Sequence, residues 1–340
     1  MKRAAFTSMT CLALRAMLAQ DVDPFFAMHF QTMLDPSRAG SDQAFSCAFM
    51  HRDQWSGLDG PYRTNGLVLE HAIGMGSGPR KAWLGLGATF TDDRMGGRLF
   101  RNQQLGFAPS VHLPVSKRDH LSFGLGFTLD QFTSGVLTGS WAGQYDGMRF
   151  IAGAPSGESF DRIEQFTTGF CTGVSFTRMT EPDLLHQEER PAWVIGIAVA
   201  HLAPNTLQQA PLELYASTAR YTAYVLKSIP LSIWPQGTLQ AEMVAHAQGP
   251  HTTARINLTL GREVFRAQRI SETSATTGFR IGVGYRYQDA LLVNAAFERL
   301  GVKVGFAYGW SIGRADRAIN GPRTSEIFIG LKIHRRKLAR

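Results

Sequence analysis

The stretch Leu-Ser-Phe-Gly-Leu-Gly-Phe-Thr-Leu-Asp at 121–130 decides the fold of this chain. Large apolar side chains occupy every odd position, and small or polar side chains occupy every position between them. Successive side chains of a β-strand point to opposite faces, so this alternation predicts a strand with one apolar face and one polar face. The stretch shows no helical period.

The same alternation recurs along the whole chain, in segments of about ten residues. It is clear at 253–260, 279–286, 302–311 and 326–333. Counting such segments predicts about fourteen strands, an even number that lets one antiparallel sheet close on itself. The predicted strands are centred near Phe49, Leu67, Leu86, Phe107, Leu125, Val174, Ile197, Ala223, Ala241, Leu258, Val283, Val293, Phe306 and Ile329.

The composition of the polar faces distinguishes a membrane barrel from a soluble sandwich. A sandwich exposes its polar face to water, where Lys and Glu are expected. Here that face is mostly Gly, Ser, Thr and Ala, and only 18% of the chain is charged. A membrane barrel places large apolar side chains in lipid and small or polar ones in its lumen. We therefore predict an all-β, transmembrane antiparallel β-barrel in the outer membrane.

The barrel prediction assigns three sets of side chains. Those expected in lipid include Phe123, Phe127, Ile256, Leu258, Val304 and Phe306. Those expected as aromatic girdles at strand ends are Trp55, Trp83, Trp193, Tyr285, Tyr287, Tyr308 and Trp310. Charges expected in the lumen are Glu70, Glu242, Arg255, Arg280, Arg286, Glu298, Lys303, Glu326 and Lys332. Because unpaired charges in a narrow barrel are costly, this mixture favours a filled interior over an open channel.

The chain divides into four parts by composition. Residues 1–19 are interpreted as a cleaved signal peptide, with a basic start, an apolar middle and a small residue at the end. Residues 20–43 are expected to form a periplasmic N-terminal segment, 44–334 the barrel, and 335–340 a basic C-terminal tail. Both termini are then expected in the periplasm.

Connections rich in Gly, Pro, Ser and Asn separate the predicted strands. Long connections are predicted on the side opposite the termini, at 130–166, 202–216 and 312–323. Tight connections are predicted at 114–119, 227–230 and 299–301.

Composition and motifs exclude several classes of function. The formal charge is +8, but the basic residues are scattered, which does not favour nucleic acid. The chain lacks the metalloprotease, phosphate-loop and serine-elbow motifs. The adjacent Asp92 and Asp93 are interpreted as a solvated loop rather than a calcium site. Half-exposed positions near strand ends are expected for His71, His112, His201 and His246. We expect no enzymatic activity, no cofactor and no metal.

Several sequence blocks carry a family resemblance. They are Gln20-Asp21 with LDPSRAGS at 34–41, RDQWSGL at 52–58 with GPYRT at 60–64, GLGATF at 85–90 with Asp92-Asp93 and Gly96, His201-Leu202 with Pro204-Asn205, and GYRY at 284–287. The first resembles an "NPAYAGS" opening segment, and the second is similar to "RNQWPG". Through these blocks the chain resembles the PorP/SprF outer-membrane proteins of type IX secretion and gliding in Bacteroidota.

The resemblance implies a non-enzymatic component of the type IX secretion machinery. Such a component receives or anchors a secreted protein by its C-terminal domain at the cell surface, beside the translocon. The implied partners are outer-membrane lipid, the translocon, components of the periplasmic ring and that C-terminal domain. A passive outer-membrane pore or transporter remains the alternative, because a Gly-rich lumen of mixed charge leaves the choice open.

Aromatic side chains in loops suggest where a protein partner binds, since such side chains dominate interface energetics. On the predicted extracellular side these are Trp55 and Tyr62 in the 52–64 hairpin, and Trp141, Tyr145, Phe150 and Phe160 in the long loop. The alternative for the long loop is that it folds inward as a plug. The basic run 334–340 could meet an acidic periplasmic partner, although a solvated terminus is the commoner fate of such a run.

Overall fold

The computed structural model describes residues 21–56, 60–74, 81–95, 100–134, 144–151, 153–155, 164–180, 191–206, 218–231, 233–234, 236–266, 275–312 and 323–334. The strands are β1 Ala44–Gln54, β2 Tyr62–Gly74, β3 Trp83–Met95, β4 Phe100–Pro114, β5 Asp119–Ser134, β6 Glu164–Met179, β7 Pro191–Thr206, β8 Arg220–Pro230, β9 Gly237–Gln248, β10 His251–Arg266, β11 Ala275–Arg286, β12 Ala290–Arg299, β13 Val302–Ser311 and β14 Arg323–His334. The predicted strands are confirmed, and each predicted centre lies within its strand.

The sheet closes into a single barrel in which every strand is antiparallel to the next one in the sequence. Closure is made by the first and last strands, which pair from Ala44 opposite His334 to Gln54 opposite Thr324. A closed barrel satisfies its backbone hydrogen bonds between strands and leaves no sheet edge, as a membrane requires.

The two ends of the barrel differ in their connections. We call the end where β1 begins and β14 finishes the terminal end, and the opposite end the loop end. The three long connections predicted opposite the termini lie at the loop end, where they span 135–163, 207–219 and 312–322. The terminal end carries the tight turns at 115–118 and 300–301. It also carries longer connections, at 180–190 and 267–274.

Two local predictions were wrong because strands extend further than the alternation indicates. The tight turn predicted at 227–230 belongs to β8, and the turn follows at 231–236. Asp92 and Asp93 lie within β3 rather than in a solvated loop. Asp92 is buried there and forms ion pairs with Arg94 and Arg101, so its charge is paired within the sheet.

The outer face of the barrel is apolar. The side chains predicted to face lipid are all exposed, by 40 to 50%: Phe123, Phe127, Ile256, Leu258, Val304 and Phe306. A continuous belt of exposed Phe, Leu, Ile and Val around a closed barrel is stable against hydrocarbon and not against water. The predicted outer face is therefore confirmed.

One predicted girdle residue lies on the opposite face. Trp83 is 7% exposed and points into the lumen, where its ring stacks on His112 at a centroid distance of 4.7 Å. Its Nε1 atom donates a hydrogen bond to the carbonyl oxygen of Gly40. The strand period accounts for this face, because Trp83 alternates with the outward Leu84 and shares the inner face with Gly85.

The lumen is filled by residues 21–43, which we call the N-terminal segment. This segment contains three single helical turns, at Ala27–His29, Gln31–Leu34 and Pro36–Arg38. No helix within the described residues is long and apolar enough to cross a membrane. A filled interior was predicted. The N-terminal segment, however, was expected in the periplasm, whereas in the structure the lumen-facing side chains of the strands surround it.

Candidate functional site

The N-terminal segment runs through the lumen from the loop end to the terminal end. Its first described residue, Asp21, meets the loop-end residues His201 and Arg220. Near its other end, Asp42 forms a 2.9 Å ion pair with Lys332 at the terminal end. The chain then enters β1 at Ala44, so the segment and the first strand run in opposite directions.

At the loop end, a carboxylate of the segment is held by two cations. The Nε2 atom of His201 lies 2.7 Å from Oδ2 of Asp21, and Nη1 of Arg220 lies 3.0 Å from the same oxygen. Both cationic side chains are buried. Charge-assisted contacts of this length in a buried position are among the stronger polar interactions in proteins.

His201 reaches this position through a local irregularity. Its φ of +56° is in the left-handed region, which non-glycine residues adopt uncommonly. The pairing of β6 with β7 shifts register beside it, between Phe170 and Thr172. Bulges of this kind re-aim a side chain, and here the imidazole that they turn inward is the one bound to Asp21.

The next carboxylate of the segment, Asp23, binds an arginine and lies beside a histidine. Nη1 of Arg255 lies 3.0 Å from Oδ1 of Asp23, and Nε2 of His246 lies 3.5 Å from that oxygen. Arg255 also forms a 3.2 Å ion pair with Glu242. Arg52 donates to the carbonyl oxygen of Asp23, so both the side chain and the backbone of this residue are bound.

The two phenylalanines that follow are fixed by contacts of both kinds. The backbone N–H groups of Phe25 and Phe26 donate to the carboxylate of Glu326, at 2.9 and 3.2 Å. The Phe25 ring lies between two guanidinium groups, with its centroid 4.7 Å from Cζ of Arg52 and 5.4 Å from Cζ of Arg286. Cations over an aromatic face gain electrostatic energy, more so where water is excluded.

The middle of the segment packs against an apolar part of the lumen. Phe26 and Phe30 contact Phe328, an inward-facing aromatic residue of β14. Ala27 and Leu34 pack against a second buried cluster that includes Tyr224. Burying a large apolar side chain contributes about 1.5 to 3 kcal/mol, so these contacts anchor the segment independently of the ion pairs.

Polar contacts hold the segment again near the terminal end. Asp35 accepts hydrogen bonds from the backbone N–H of Ser37 and from the hydroxyl of Tyr224, both at 2.7 Å. The carbonyl oxygen of Ala39 accepts from Oγ of Ser110 and lies 2.8 Å from Nε2 of His112.

Three of the four histidines expected to be half exposed are buried by this segment or by neighbouring lumen side chains. They are His112, His201 and His246.

Two carboxylates outside the strands, Asp21 and Asp42, have shifted pKa values. Burial raises the pKa of Asp21, but the charges of His201 and Arg220 outweigh it and hold that pKa well below its usual range. Asp42 behaves alike, because Lys332 outweighs the effect of burial and lowers its pKa. Both carboxylates are therefore ionised at neutral pH. Within the described residues, no group of three or more His, Cys, Asp or Glu side chains could hold a metal ion.

The structure brings the predicted partner-binding aromatics together in two pairs. Trp55 and Tyr62 meet edge to face at the loop end, with ring centroids 5.0 Å apart. Tyr145 and Phe150 pair through a β-bridge in the long connection, and their side chains are 54% and 45% exposed. Residues 145–151 of the long connection are exposed where the structure describes them, and the plug alternative stays a prediction. Trp141 and Phe160, the other two predicted residues, lie outside the described residues.

The sequence did not reveal the lumenal role of the N-terminal segment. Two signals were present: three phenylalanines in a segment without strand alternation, and Phe328 on the otherwise polar face of β14. The first predicts a buried segment, and the second predicts an apolar neighbour in the lumen. Neither indicates that the two meet, because they lie about three hundred residues apart.

The apolar belt, the closed sheet and the occupied lumen define an outer-membrane β-barrel whose interior is filled by its own N-terminal segment. The family model described as "Type IX secretion system membrane protein PorP/SprF" matches residues 18–331. The chain belongs to this family.

Three solved structures illustrate what the chain is similar to, each at low sequence identity. The CymD monoaromatic hydrocarbon channel is 14% identical, with a TM-score of 0.46, over 89% of this chain and 92% of that one. The toluene transporter TbuX of Ralstonia pickettii is 12% identical, with a TM-score of 0.44, over 89% and 93%. The β-domain of the Bordetella autotransporter Brka is 11% identical, with a TM-score of 0.43, over 85% and 98%. No curated protein matches the chain.

Proposed function

We propose that this protein is a non-enzymatic component of the type IX secretion machinery that receives or anchors a secreted protein. It does so at the cell surface, beside the translocon, and holds the secreted protein by its C-terminal domain. Membership of the PorP/SprF family supports a role in secretion. The described polar side chains of the lumen form hydrogen bonds and ion pairs with the N-terminal segment, as expected of a protein that binds other chains.

The observation that carries the proposal is the filled lumen. A passive pore needs a hydrated path through its barrel, whereas here residues 21–43 run from Asp21 at the loop end to Asp42 at the terminal end. Ion pairs hold both ends of this path, and Phe26 and Phe30 are buried between them. Such an interior supports a partner protein over the alternative of a passive solute pore.

The proposed docking surface consists of the two aromatic pairs, Trp55 with Tyr62 and Tyr145 with Phe150. Tyr145 and Phe150 are exposed, and Trp55 packs edge to face on Tyr62. Aromatic side chains bury a large apolar area on binding and dominate interface energetics. The 52–64 hairpin and the long connection both belong to the loop end, which is the extracellular end in this proposal.

The proposal is tested by measuring retention of the secreted protein on intact cells that carry variants of this chain. Replacing both Tyr145 and Phe150 with Ala is expected to lower retention while the barrel still assembles. Tyr287→Ala is the matched control, since Tyr287 is 56% exposed at the loop end but outside the docking surface. Unchanged retention in the double variant would contradict this docking surface, and unchanged retention in cells lacking the whole chain would contradict the function.

Planar bilayers distinguish the pore alternative. The purified full chain is expected to give no steady conductance, because its own segment occupies the lumen. Steady conductance of the unmodified protein would favour the pore.

A further inference from the structure

We propose that the loop end of the lumen is a peptide-binding site for a segment that carries two carboxylates followed by an aromatic side chain. Residues 21–26 of the chain occupy this site in cis, and a partner segment of the same chemistry takes it in exchange. The inference rests on the proposed function, because it names the chemistry by which a secreted partner is held.

Both side chains and backbone groups of residues 21–26 have partners in the barrel. The two carboxylates, of Asp21 and Asp23, bind cations. Two backbone carbonyls accept from guanidinium groups, since Arg255 donates to Pro24 at 2.6 Å and Arg52 donates to Asp23. The backbone N–H groups of the next two residues donate to Glu326. Recognition of side chains and backbone together is typical of a peptide groove.

The strands around residues 21–26 carry many basic side chains. We call the six basic side chains that line the loop end of the lumen the loop-end cluster: Arg52, His201, Arg220, His246, Arg255 and Arg286. All six are at least nine-tenths buried, and they come from six different strands. Buried cations are costly unless they are paired. The barrel supplies Glu242 to Arg255 and Asp289 to Arg286. His201 and Arg220 pair with Asp21 of the occupant, so the site favours an acidic segment.

Residues 21–26 leave several hydrogen-bond donors of the barrel without an acceptor. Within the described residues, the buried Nε atoms of Arg52, Arg220 and Arg255 have no hydrogen-bond partner. A buried donor without an acceptor costs free energy. A segment that brings one further carboxylate or carbonyl oxygen to these atoms would therefore replace residues 21–26 with a net gain of hydrogen bonds.

Exchange of residues 21–26 requires no change in the barrel. Residues 21–26 form no strand of the sheet. Their contacts with the barrel are made to its side chains, such as Glu326 and Arg255. The attachment of the N-terminal segment to β1 lies at the opposite end of the lumen. Residues 21–26 can therefore leave the loop end while all fourteen strands stay paired.

The experiment uses the full chain in detergent and a fluorescent peptide of sequence QDVDPFF, which corresponds to residues 20–26. A variant lacking residues 21–26 is expected to bind this peptide, as measured by fluorescence anisotropy, at least tenfold more tightly than the unmodified chain. The same peptide with both Asp replaced by Asn is expected to bind at least tenfold more weakly. Within the deletion variant, Arg220→Gln with Arg255→Gln should weaken binding. Arg63→Gln should not, because Arg63 is exposed and pairs with Asp53, outside the loop-end cluster.

The outcomes separate the inference from the proposed function. A deletion variant that keeps the heat-dependent gel migration of a folded barrel but binds no peptide would overturn the inference. Displacement of the peptide by equal concentrations of inorganic phosphate would also overturn it, since the site would then be a general anion site. If the deletion variant does not fold, the full-length Asp21→Asn, Asp23→Asn variant replaces it, with the same expected gain in peptide binding. Retention of the secreted protein in cells lacking the chain would refute only the proposed function.

Discussion

At the residue scale, glycine sets how closely the N-terminal segment approaches the barrel wall. Gly85 of β3 faces the lumen, and a Cβ atom there would overlap the carbonyl oxygen of Ala39 and Oγ of Ser110. Gly124 of β5 stands in the same relation to the backbone of Ser37. The small inward residues that indicated a lumen in the sequence are therefore also the places where another part of the chain lies against the wall.

Replacing Gly85 with Ala is expected to destabilise the protein by about 1 to 3 kcal/mol, because the added methyl group overpacks against backbone that cannot move cheaply. Gly330→Ala is the matched control: it is also an inward strand glycine, but its Cβ would have no neighbour nearer than 3.8 Å. The measurement is the temperature at which compact migration on gels is lost. Equal temperatures for the two variants would contradict the close contact of the segment with β3.

Tyr224→Phe tests the polar anchor of the segment. Its hydroxyl donates to the buried Asp35 carboxylate at 2.7 Å, so its loss is expected to cost about 1 to 3 kcal/mol. Tyr221→Phe on the same strand is the control, since Tyr221 points outward and is 59% exposed. Denaturant unfolding in detergent measures both. A loss of stability in Tyr221→Phe as large as in Tyr224→Phe would refute a specific role of the inward hydroxyl.

At the element scale, each strand separates lipid from lumen by the period of its side chains. In β13, Phe306 is 48% exposed on the outer face, and Lys303 forms an inner ion pair with Glu298 at 3.5 Å. A shift of register by one residue would exchange these two faces.

Phe306→Arg is expected to destabilise the folded barrel by about 2 to 4 kcal/mol, since it places a charge near the middle of the membrane. Lys303→Ala should be milder, because its ion pair is partly exposed. Folding yields into lipid vesicles measure the contrast. Equal yields, or the reverse order, would mean that the assigned faces of β13 are wrong.

The elements were predictable from the sequence because a strand carries its own signal. The alternation in 121–130 arises because a barrel strand has lipid on one face and the lumen on the other. This holds for every strand of the barrel. Residues 21–43 carry no such period, since their neighbours are side chains of many strands, each distant in sequence. The inward orientation of Trp83 could have been predicted from the alternation of β3, but its partner, the carbonyl oxygen of Gly40, could not. The aromatic pairs at the loop end remain predictions as a partner site.

At the scale of the whole molecule, the two ends of the described chain lie at opposite ends of the barrel. Asp21 is at the loop end, and His334 closes β14 at the terminal end. The sequence led us to expect both termini on one side.

An epitope inserted directly before Asp21 is therefore expected to bind antibody on intact cells. The same epitope placed after Arg340 should be reached only after the outer membrane is permeabilised, and it serves as the control. Antibody that reaches the first epitope only after permeabilisation would contradict the path of the segment, provided that the tagged barrel still shows heat-dependent migration.

The contact of Phe25 and Phe26 with Glu326 also has a kinetic meaning. It joins residues 301 and 300 positions apart, and β14 is the last strand of the chain to be made. Entry of the segment before β14 meets β1 avoids threading it through a closed wall. Contacts of such sequence separation form slowly. Until then the unpaired edges of the nascent sheet are open to wrong partners, so we expect this barrel to need assembly factors that cover those edges.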